Sequence, residues 1–473
     1  PLIGVAVVAK DQLSVGTTTD TNGNFTLRVA PYSVLIISYV GYERQEINIE
    51  TRTNINVVLQ SDNVLDEVVV TAAGAQRKVT TTGAISTVDM SSLSTPTSNL
   101  SNALLGQVAG IIGRQASGEP GANQTEFWIR GISTFGANQG ALVLVDGFER
   151  SFNEINIEDI ESFSVLKDAS ATAIYGSKGA NGVLLITTKR GDAGKINVNA
   201  KVEYAYNTRT RTPEFIEGNQ YAQMVNEALI TRNREPLYTD TELDILRYQL
   251  DPDLYPNVDW MDLLMREGAS TYRANLSISG GGTVARYFVS GSYVEEGGMY
   301  KTDKALKDYN TNSNLRRWNY RMNFDIDASK TTLISIGVAG FLEKQNSPGL
   351  NDDIWASLVG QTPVSIPVLY SNGAVPAHAT GYQTKPWVLA TQTGWRDNWK
   401  NQALVNINLK QDLSFLTEGL RFEARANLDN DSYNSIRRIK WPEQYRAERR
   451  RDLNGELVLN RVSTEQLLTQ SYY

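Results

Sequence analysis

The sequence predicts a mainly β protein in three parts: a small β-sandwich, a compact α/β domain and a partial transmembrane antiparallel β-barrel. Three observations carry this prediction. From Lys195 onward, apolar and polar residues alternate in run after run, the period-2 pattern of strands with two unlike faces. The connections between those runs alternate strictly short and long, as in outer-membrane barrels with tight turns at one end and long loops at the other. No apolar run approaches the ~20 residues of a membrane helix, so any crossing falls to strands.

Residues 1–60 are expected to form the sandwich. Leu2–Ala9 and Val34–Val40 are apolar runs, and Ile47, Ile49, Ile55, Val57 and Leu59 alternate with polar residues. Asp20–Asn24 is a turn cluster. It has a faint likeness to a calcium loop but lacks the later ligands and the closing Glu, which favours a plain turn. Residues 61–83 are expected to be a linker carrying an exposed, β-prone peptide, Leu65, Asp66, Glu67, Val68, Val69, Val70 and Thr71. The competing reading makes that peptide a buried strand of the first domain.

Residues 84–192 mix element types. A helix fits Thr97–Val108, between Pro96 and Gly110, and strands fit Glu126–Arg130, Ala141–Val145 and Gly182–Lys189. A short helix fits Asp168–Tyr175, with Asp168 as N-cap. Two glycine-rich segments are turns rather than phosphate cradles. Gly176–Gly182 precedes a strand where a dinucleotide loop would follow one, and Gly191–Lys195 lacks the Walker spacing and its Ser or Thr.

Residues 193–473 supply the barrel strands. Ile196, Val198, Ala200, Val202, Tyr204 and Tyr206 share one face, opposite Lys195, Asn197, Asn199, Lys201 and Glu203. Further strands fit Thr271–Gly280, Ala285–Val294, Trp318–Asp327, Leu333–Leu342, Gln402–Gln411, Leu420–Asp429 and Glu456–Arg461. Most are near the ~9–11 residues that a tilted strand needs to cross a bilayer. The long connections are 208–270, 295–317, 343–401 and 431–455. Tyr204, Tyr206, Tyr272, Tyr293, Trp318 and Tyr320 suit interfacial girdles.

Composition narrows the function. A net charge of −7 gives nucleic-acid binding no electrostatic support. The absence of cysteine excludes disulfides, thiolate catalysis and thiolate metal sites, and the single His378 argues against a histidine metal cluster or triad. The chain opens at Pro1 without a basic and then apolar leader, so any signal peptide is expected to lie outside it. No catalytic residue, metal ligand or cofactor site is expected.

These residues resemble the SusC-like branch of TonB-dependent transporters of Bacteroidetes. Residues 1–60 look like the carboxypeptidase-regulatory-like domain, and Leu65–Thr71 (LDEVVVT) looks like a TonB box. Phe127–Gly131, Val143–Gly147 and, most specifically, Val165–Gly176 with Gly179–Gly182 and Thr187–Gly191 look like plug signatures. Asn257–Trp260 and Ser277–Gly281 extend the likeness into the barrel. Such transporters close ~22 strands around a plug, whereas about eight are discernible here by the alternation rule. The chain is therefore expected to be the N-terminal portion of a longer protein.

The resemblance implies an outer-membrane location, with the first domain and plug accessible from the periplasm. It implies three kinds of partner: the TonB energy-transducing complex, a SusD-like surface lipoprotein and outer-membrane lipid. It implies energy-coupled import of an oligomeric nutrient, a glycan ahead of a peptide, with a passive porin as the rival. Arg130, Lys167, Asp168, Lys189 and Arg190 are expected to pair with the barrel wall or to be local caps and solvated charges. Arg446 and Arg449–Arg451 are candidates for lipopolysaccharide phosphates or for a solvated loop. Trp355 and Trp387 are the candidate cargo contacts, because flat aromatic faces beside amides suit sugars; packing of their own loop is the alternative.

Overall fold

In the computed structural model, the described residues are 2, 4–10, 12–39, 42–59, 68–71, 74–77, 85–88, 97–131, 140–303, 309–350, 354–377 and 385–472. They form two compact units, residues 1–85 and 86–473.

The first unit is built on a four-stranded antiparallel sheet of order β2-β1-β3-β4, with β1 Ala6–Ala9, β2 Gln12–Thr18, β3 Val34–Tyr39 and β4 Tyr42–Asn48. Alternate residues Val5, Val7 and Ala9 bury one face together with Leu35 and Ile37. The second layer of the expected sandwich is two extended segments without a strand ladder. They turn Phe25, Leu27, Val29, Ile55, Val57 and Leu59 towards the sheet and line a partly open cavity of about 750 Å³. The Asp20 cluster is the plain turn expected, its Oδ1 accepting from the backbone N–H of Asn22 and Asn24 at 2.9 and 2.8 Å. A separate hairpin pairs β5, Val68–Thr71, with β6, Gly74–Arg77.

The second unit begins with a five-stranded mixed sheet of order β11-β10-β13-β12-β7 and a hairpin of β8 and β9. Its strands are β7 Ile85–Val88, β8 Ile111–Gln115, β9 Thr125–Ile129, β10 Leu142–Val145, β11 Phe148–Glu149, β12 Ile160–Leu166 and β13 Val183–Thr188. Asp146 and Gly147, with φ of 52° and 89°, make the two-residue turn between the paired Val145 and Phe148. The helix expected over Thr97–Val108 shortens to α1, Leu100–Leu104, because Leu105 is extended and Gly106 takes φ 75° to swing the chain into β8. The helix expected over Asp168–Tyr175 becomes α2, Ala169–Thr172, followed by a tighter 3₁₀ stretch to Gly179 that kinks at Gly176. Asp168 occupies the N-cap position but its carboxylate makes no cap; it accepts from Arg130 at 2.6 Å instead.

An eight-stranded antiparallel sheet stands beside this domain in the order β14-β15-β16-β17-β18-β20-β21-β24. These are β14 Gly194–Thr208, β15 Gly268–Gly281, β16 Ala285–Glu296, β17 Asn314–Ser329, β18 Thr332–Pro348, β20 Gly394–Asp412, β21 Arg421–Trp441 and β24 Gln466–Tyr472. Connections 282–284, 330–331 and 413–420 are short, while 209–267, 297–313, 349–393 and 442–465 are long, so the expected alternation holds. Two expectations fail at the long-loop end. Residues 431–441 are not loop, because β20 and β21 stay paired up to Gly394 and Ile439, far past a bilayer's thickness. Glu456–Arg461 is not a wall strand, because β23, Leu457–Ser463, pairs with β22, Gln444–Arg451. With β19, Val375–Pro376, these two make a small separate sheet.

The two faces of the wall differ as the alternation requires. Val202, Tyr204, Tyr206, Leu276, Phe422 and Leu428 are exposed on the outer face. Tyr204 faces Tyr272, with ring centroids 5.2 Å apart, and Tyr293 faces Trp318 at 5.4 Å. Arg317, Arg321, Asn323, Asp325, Ser335 and Glu343 are buried on the inner face.

The long connections fold together as a cap. Helix α5, Trp260–Leu264, packs on α6, Ile354–Gly360, and α7, Pro386–Thr391, around Trp260, Leu264, Tyr300, Ile354, Leu358 and Leu389. A helical hairpin joins it from the first connection: α3, Gly218–Ile230, and α4, Asp240–Tyr248, which starts with a full capping box between Thr239 and Glu242.

Candidate functional site

The candidate coupling peptide is described from Val68 to Thr71, whereas Leu65, Asp66 and Glu67 lie outside the described residues. Val68–Thr71 is extended, as three consecutive β-branched valines favour, and its ladder partner is Gly74–Arg77 rather than the four-stranded sheet. It is therefore not a strand of the first domain's sheet.

The candidate binding side of the molecule is the seam between the inner domain and the wall. Hydrogen bonds and ion pairs cross it, beside a few apolar wall residues such as Val294 and Phe341. Arg190 donates to Asp325 at 2.6 Å, and Asn323 donates to the carbonyl of Lys189 at 2.6 Å and to Thr188 Oγ1 at 3.0 Å. Lys201 of β14 reaches Glu158 at 2.7 Å, and Asn156 reaches Asn275 at 2.8 Å. Arg150 is clamped to Asp429, with Nε at 2.8 Å from Oδ2, and to Asn406 at 2.7 Å. Arg317 holds Glu343 at 2.7 Å and the carbonyl of Ser98 at 2.6 Å. Burial drives the Asp159 carboxyl of the inner domain above its ordinary range, against the opposing pull of Arg321 with its Nε at 3.6 Å.

Among the charges expected in this role, Arg190 meets the wall. Arg130 and Asp168 pair with each other in an exposed position, and the Lys167 ammonium donates to the carbonyl of Ala109. Arg150, Arg317, Glu296 and Lys201 were not foreseen. For Arg317, Glu296 and Lys201 the signal lay in the polar faces of the wall strands, where a charge facing inward must meet a partner or water, whereas Arg150 follows β11 of the inner domain.

Above Arg150, towards the long loops, lies a cavity of about 610 Å³ lined by Ser151, Glu154, Gln402, Asp431 and Tyr433. Trp355 and Trp387 part company. Trp355 on α6 is 45% exposed, whereas Trp387 on α7 packs against the apolar core of the cap. Tyr370 is buried and its hydroxyl accepts from the backbone N–H of Ala447 at 3.0 Å, a structural role. Asn351, Tyr382, Gln383 and His378 lie outside the described residues. Arg451 makes no solvated charge: it is forked onto Asp251 at 3.0 and 2.6 Å and reaches Asp253 at 3.1 Å. Arg450 turns to Glu448 at 2.6 Å. No group of three or more metal-binding side chains occurs among the described residues.

Two family models match the chain. Residues 1–70 match the CarboxypepD_reg-like domain and residues 77–183 the TonB-dependent receptor plug domain. The chain is 30% identical over 504 aligned residues to TonB-dependent receptor P26 of Formosa agariphila, covering all of this chain and 49% of that protein. It is 33% identical over 339 residues to TonB-dependent receptor SusC of Bacteroides thetaiotaomicron, covering 68% of this chain and 30% of that protein. The chain thus spans less than half the length of these curated relatives. Its fold is similar to a solved structure of the RagAB peptide importer in an open-open state, with a TM-score of 0.62 and 24% identity over 79% of this chain and 43% of that one. With a regulatory-like domain, a plug sheet and an antiparallel wall following one another in this order, the chain belongs to the SusC-like family of TonB-dependent receptors and is a portion of such a protein.

Proposed function

We propose that this chain is part of an active importer of the outer membrane, coupled to TonB through Leu65–Thr71 and working with a SusD-like surface lipoprotein. The observation that carries the reading is the seam. The plug is held in the wall by hydrogen bonds and ion pairs rather than by an apolar core shared with it. Polar contacts of this kind exchange readily for water, so a plug so held can move and return. The coupling peptide suits strand addition to an edge on TonB, where backbone hydrogen bonds bear the pull. The first domain and plug face the periplasm, and the long loops face the cell exterior.

The cargo is an oligomeric nutrient, a glycan in preference to a peptide. Half-exposed Trp355 offers a ring face, and the cavity beside Arg150 offers Ser, Gln, Tyr and carboxylate groups to hydroxyls. The peptide reading is the second one, favoured by the likeness of the fold to the RagAB peptide importer.

Deleting Leu65–Thr71 from the complete transporter tests the coupling. Growth on the cargo is expected to stop while surface binding of cargo persists. Undiminished uptake after the deletion refutes energy coupling through this peptide and leaves a passive porin.

A further inference from the structure

The inward-facing Glu296 is the last residue of β16, and it stands between two parts of the molecule. On one side is the plug. The buried Glu296 carboxylate accepts from Ser98 Oγ at 2.6 Å and from Asn123 Nδ2 at 3.0 Å. Asn123 Oδ1 in turn accepts from Asn99 at 2.6 Å, and the carbonyl of Ser98 takes the Arg317 guanidinium. Ser98, Asn99 and Asn123 are all buried, and they sit directly before α1 and β9 of the plug.

On the other side is the cap. The chain leaves Glu296 along a stalk with no slack. Gly297 N–H donates to the Ser270 carbonyl at 3.0 Å, and Gly298 is bonded to Asn314 and Asn312 at 3.2 and 2.9 Å. A Cβ at Gly298 would fall 2.0 Å from the Ser313 carbonyl oxygen, so the backbones touch there. Arg266 N–H donates to Met299 and Lys301 N–H to Leu264, each at 2.7 Å, and Tyr300 is buried beside Trp260, Leu264 and Ile354. A close-packed stalk transmits displacement rather than absorbing it.

We propose that Glu296 is a positioning residue that makes the hold on the plug depend on the arrangement of the extracellular cap, through Ser98 and Asn123 on one side and the stalk to Tyr300 on the other. This rests on the reading of the chain as an importer. A shift of the stalk by about 1 Å takes Ser98 and Asn123 beyond hydrogen-bonding range of the carboxylate. The hold is then lost on the same side of the molecule where cargo arrives. Rearrangement of the cap around cargo therefore loosens the plug segment that follows β7, the first plug strand after the coupling peptide.

The test is a double-mutant cycle in the complete transporter, read as hydrogen exchange over residues 97–104. Glu296→Ala and Tyr300→Ala are each expected to speed exchange there by about ten-fold, the scale of a lost hydrogen bond to a charged group. The double variant is expected to be no faster than Glu296→Ala alone, because the cap acts through Glu296. Glu296→Gln, which keeps the volume and one acceptor oxygen, is expected to fall between wild type and Glu296→Ala, and it serves should the alanine variant fail to assemble. Additive effects, about a hundred-fold in the double variant, overturn the proposal, as does a Tyr300→Ala variant whose plug exchanges at the wild-type rate. Exchange requires neither TonB nor cargo, so failure of the import reading registers separately, as uptake that is indifferent to Leu65–Thr71.

Discussion

Replacing Arg317 by Met is expected to weaken the seating of the plug by about 3 kcal/mol, the lower end of the cost of breaking a buried ion pair. The Arg317 and Glu343 side chains are 3% and 6% exposed, so neither charge can turn to solvent. Without the guanidinium, Glu343 keeps Lys400, whose ammonium lies 4.0 Å away and is itself half-exposed; that residual attraction sets the estimate at the lower end. The Ser98 carbonyl and Asn99 Oδ1 lose their donor as well. The assay is urea release of the plug from the complete transporter, followed by a fluorophore on the plug while the barrel stays folded. With a slope of about 1–2 kcal/mol per molar, expected for a domain of this size, the midpoint falls by roughly 1.5–3 M. The companion variant Arg317→Met/Glu343→Leu removes both charges and is expected to recover most of that loss, because the cost lies in the stranded carboxylate. A double variant as weak as the single one, or a single variant whose midpoint moves by less than about 0.3 M, refutes the reasoning.

Trp355→Ala is expected to lower cargo affinity by about 0.5–1.5 kcal/mol with the cap intact. Trp387→Ala is expected to loosen the cap by about 2 kcal/mol, which calorimetry and binding would separate. Lys385 is 2% exposed, its Nζ has no hydrogen-bond partner among the described residues, and burial depresses its pKa to about 6. The folded state therefore binds fewer protons than the unfolded state between about pH 6 and 10, so the cap grows more stable as pH rises through that window. Lys385→Met is expected to stabilise it at pH 7 and to flatten the dependence, read as exchange of residues 386–391 corrected for intrinsic rates. The Arg451 fork holds the Asp251 carboxyl below its ordinary range, so this clasp is present above that range and lost as pH falls through the depressed value. Arg451→Met is expected to speed exchange at residues 251–253 a few-fold at neutral pH, in keeping with about 0.5–1 kcal/mol for a partly exposed pair. It is expected to have no effect once Asp251 is protonated.

The wall was legible because lipid and lumen make opposite demands on successive residues. Tyr204 and Val202 had to face out while Glu203 and Lys201 faced in, and the period of two survives in the sequence without any knowledge of neighbours. Strand ends were not legible in the same way. Past the bilayer the outer face of β21 is wetted, so Asn430, Ser432 and Asn434 carry no apolar signal, yet the backbone ladder continues to Ile439 because unpaired N–H and C=O groups gain nothing by letting go. The same effect hid β22, whose Arg-rich run has the composition of a solvated loop but pairs with β23 through a turn fixed by Asp452, whose side chain accepts from the N–H of Asn454 and Glu456.

The seam was illegible for a different reason. Arg150 and Asp429 are 279 residues apart in sequence, as remote as Glu296 and Ser98 are local to different domains, and no spacing rule connects such pairs. Sequence does constrain one side of each contact. An ionisable residue at an inward position of a wall strand is buried by whatever fills the barrel, and its desolvation has to be offset by a partner. Arg317, Asp325 and Glu343 occupy such positions in β17 and β18, and all three are paired. The plug side carries no matching pattern, because Ser98, Asn99 and Asn123 are small polar residues in segments that would otherwise be ordinary turns. What marks them is that they are buried while lying outside the plug's apolar core, so that their polar atoms must be satisfied by one another and by the wall. The contacts that fix the plug are thus announced on the wall strands by charge and on the plug by burial, and the second of these appears only once the chain is folded.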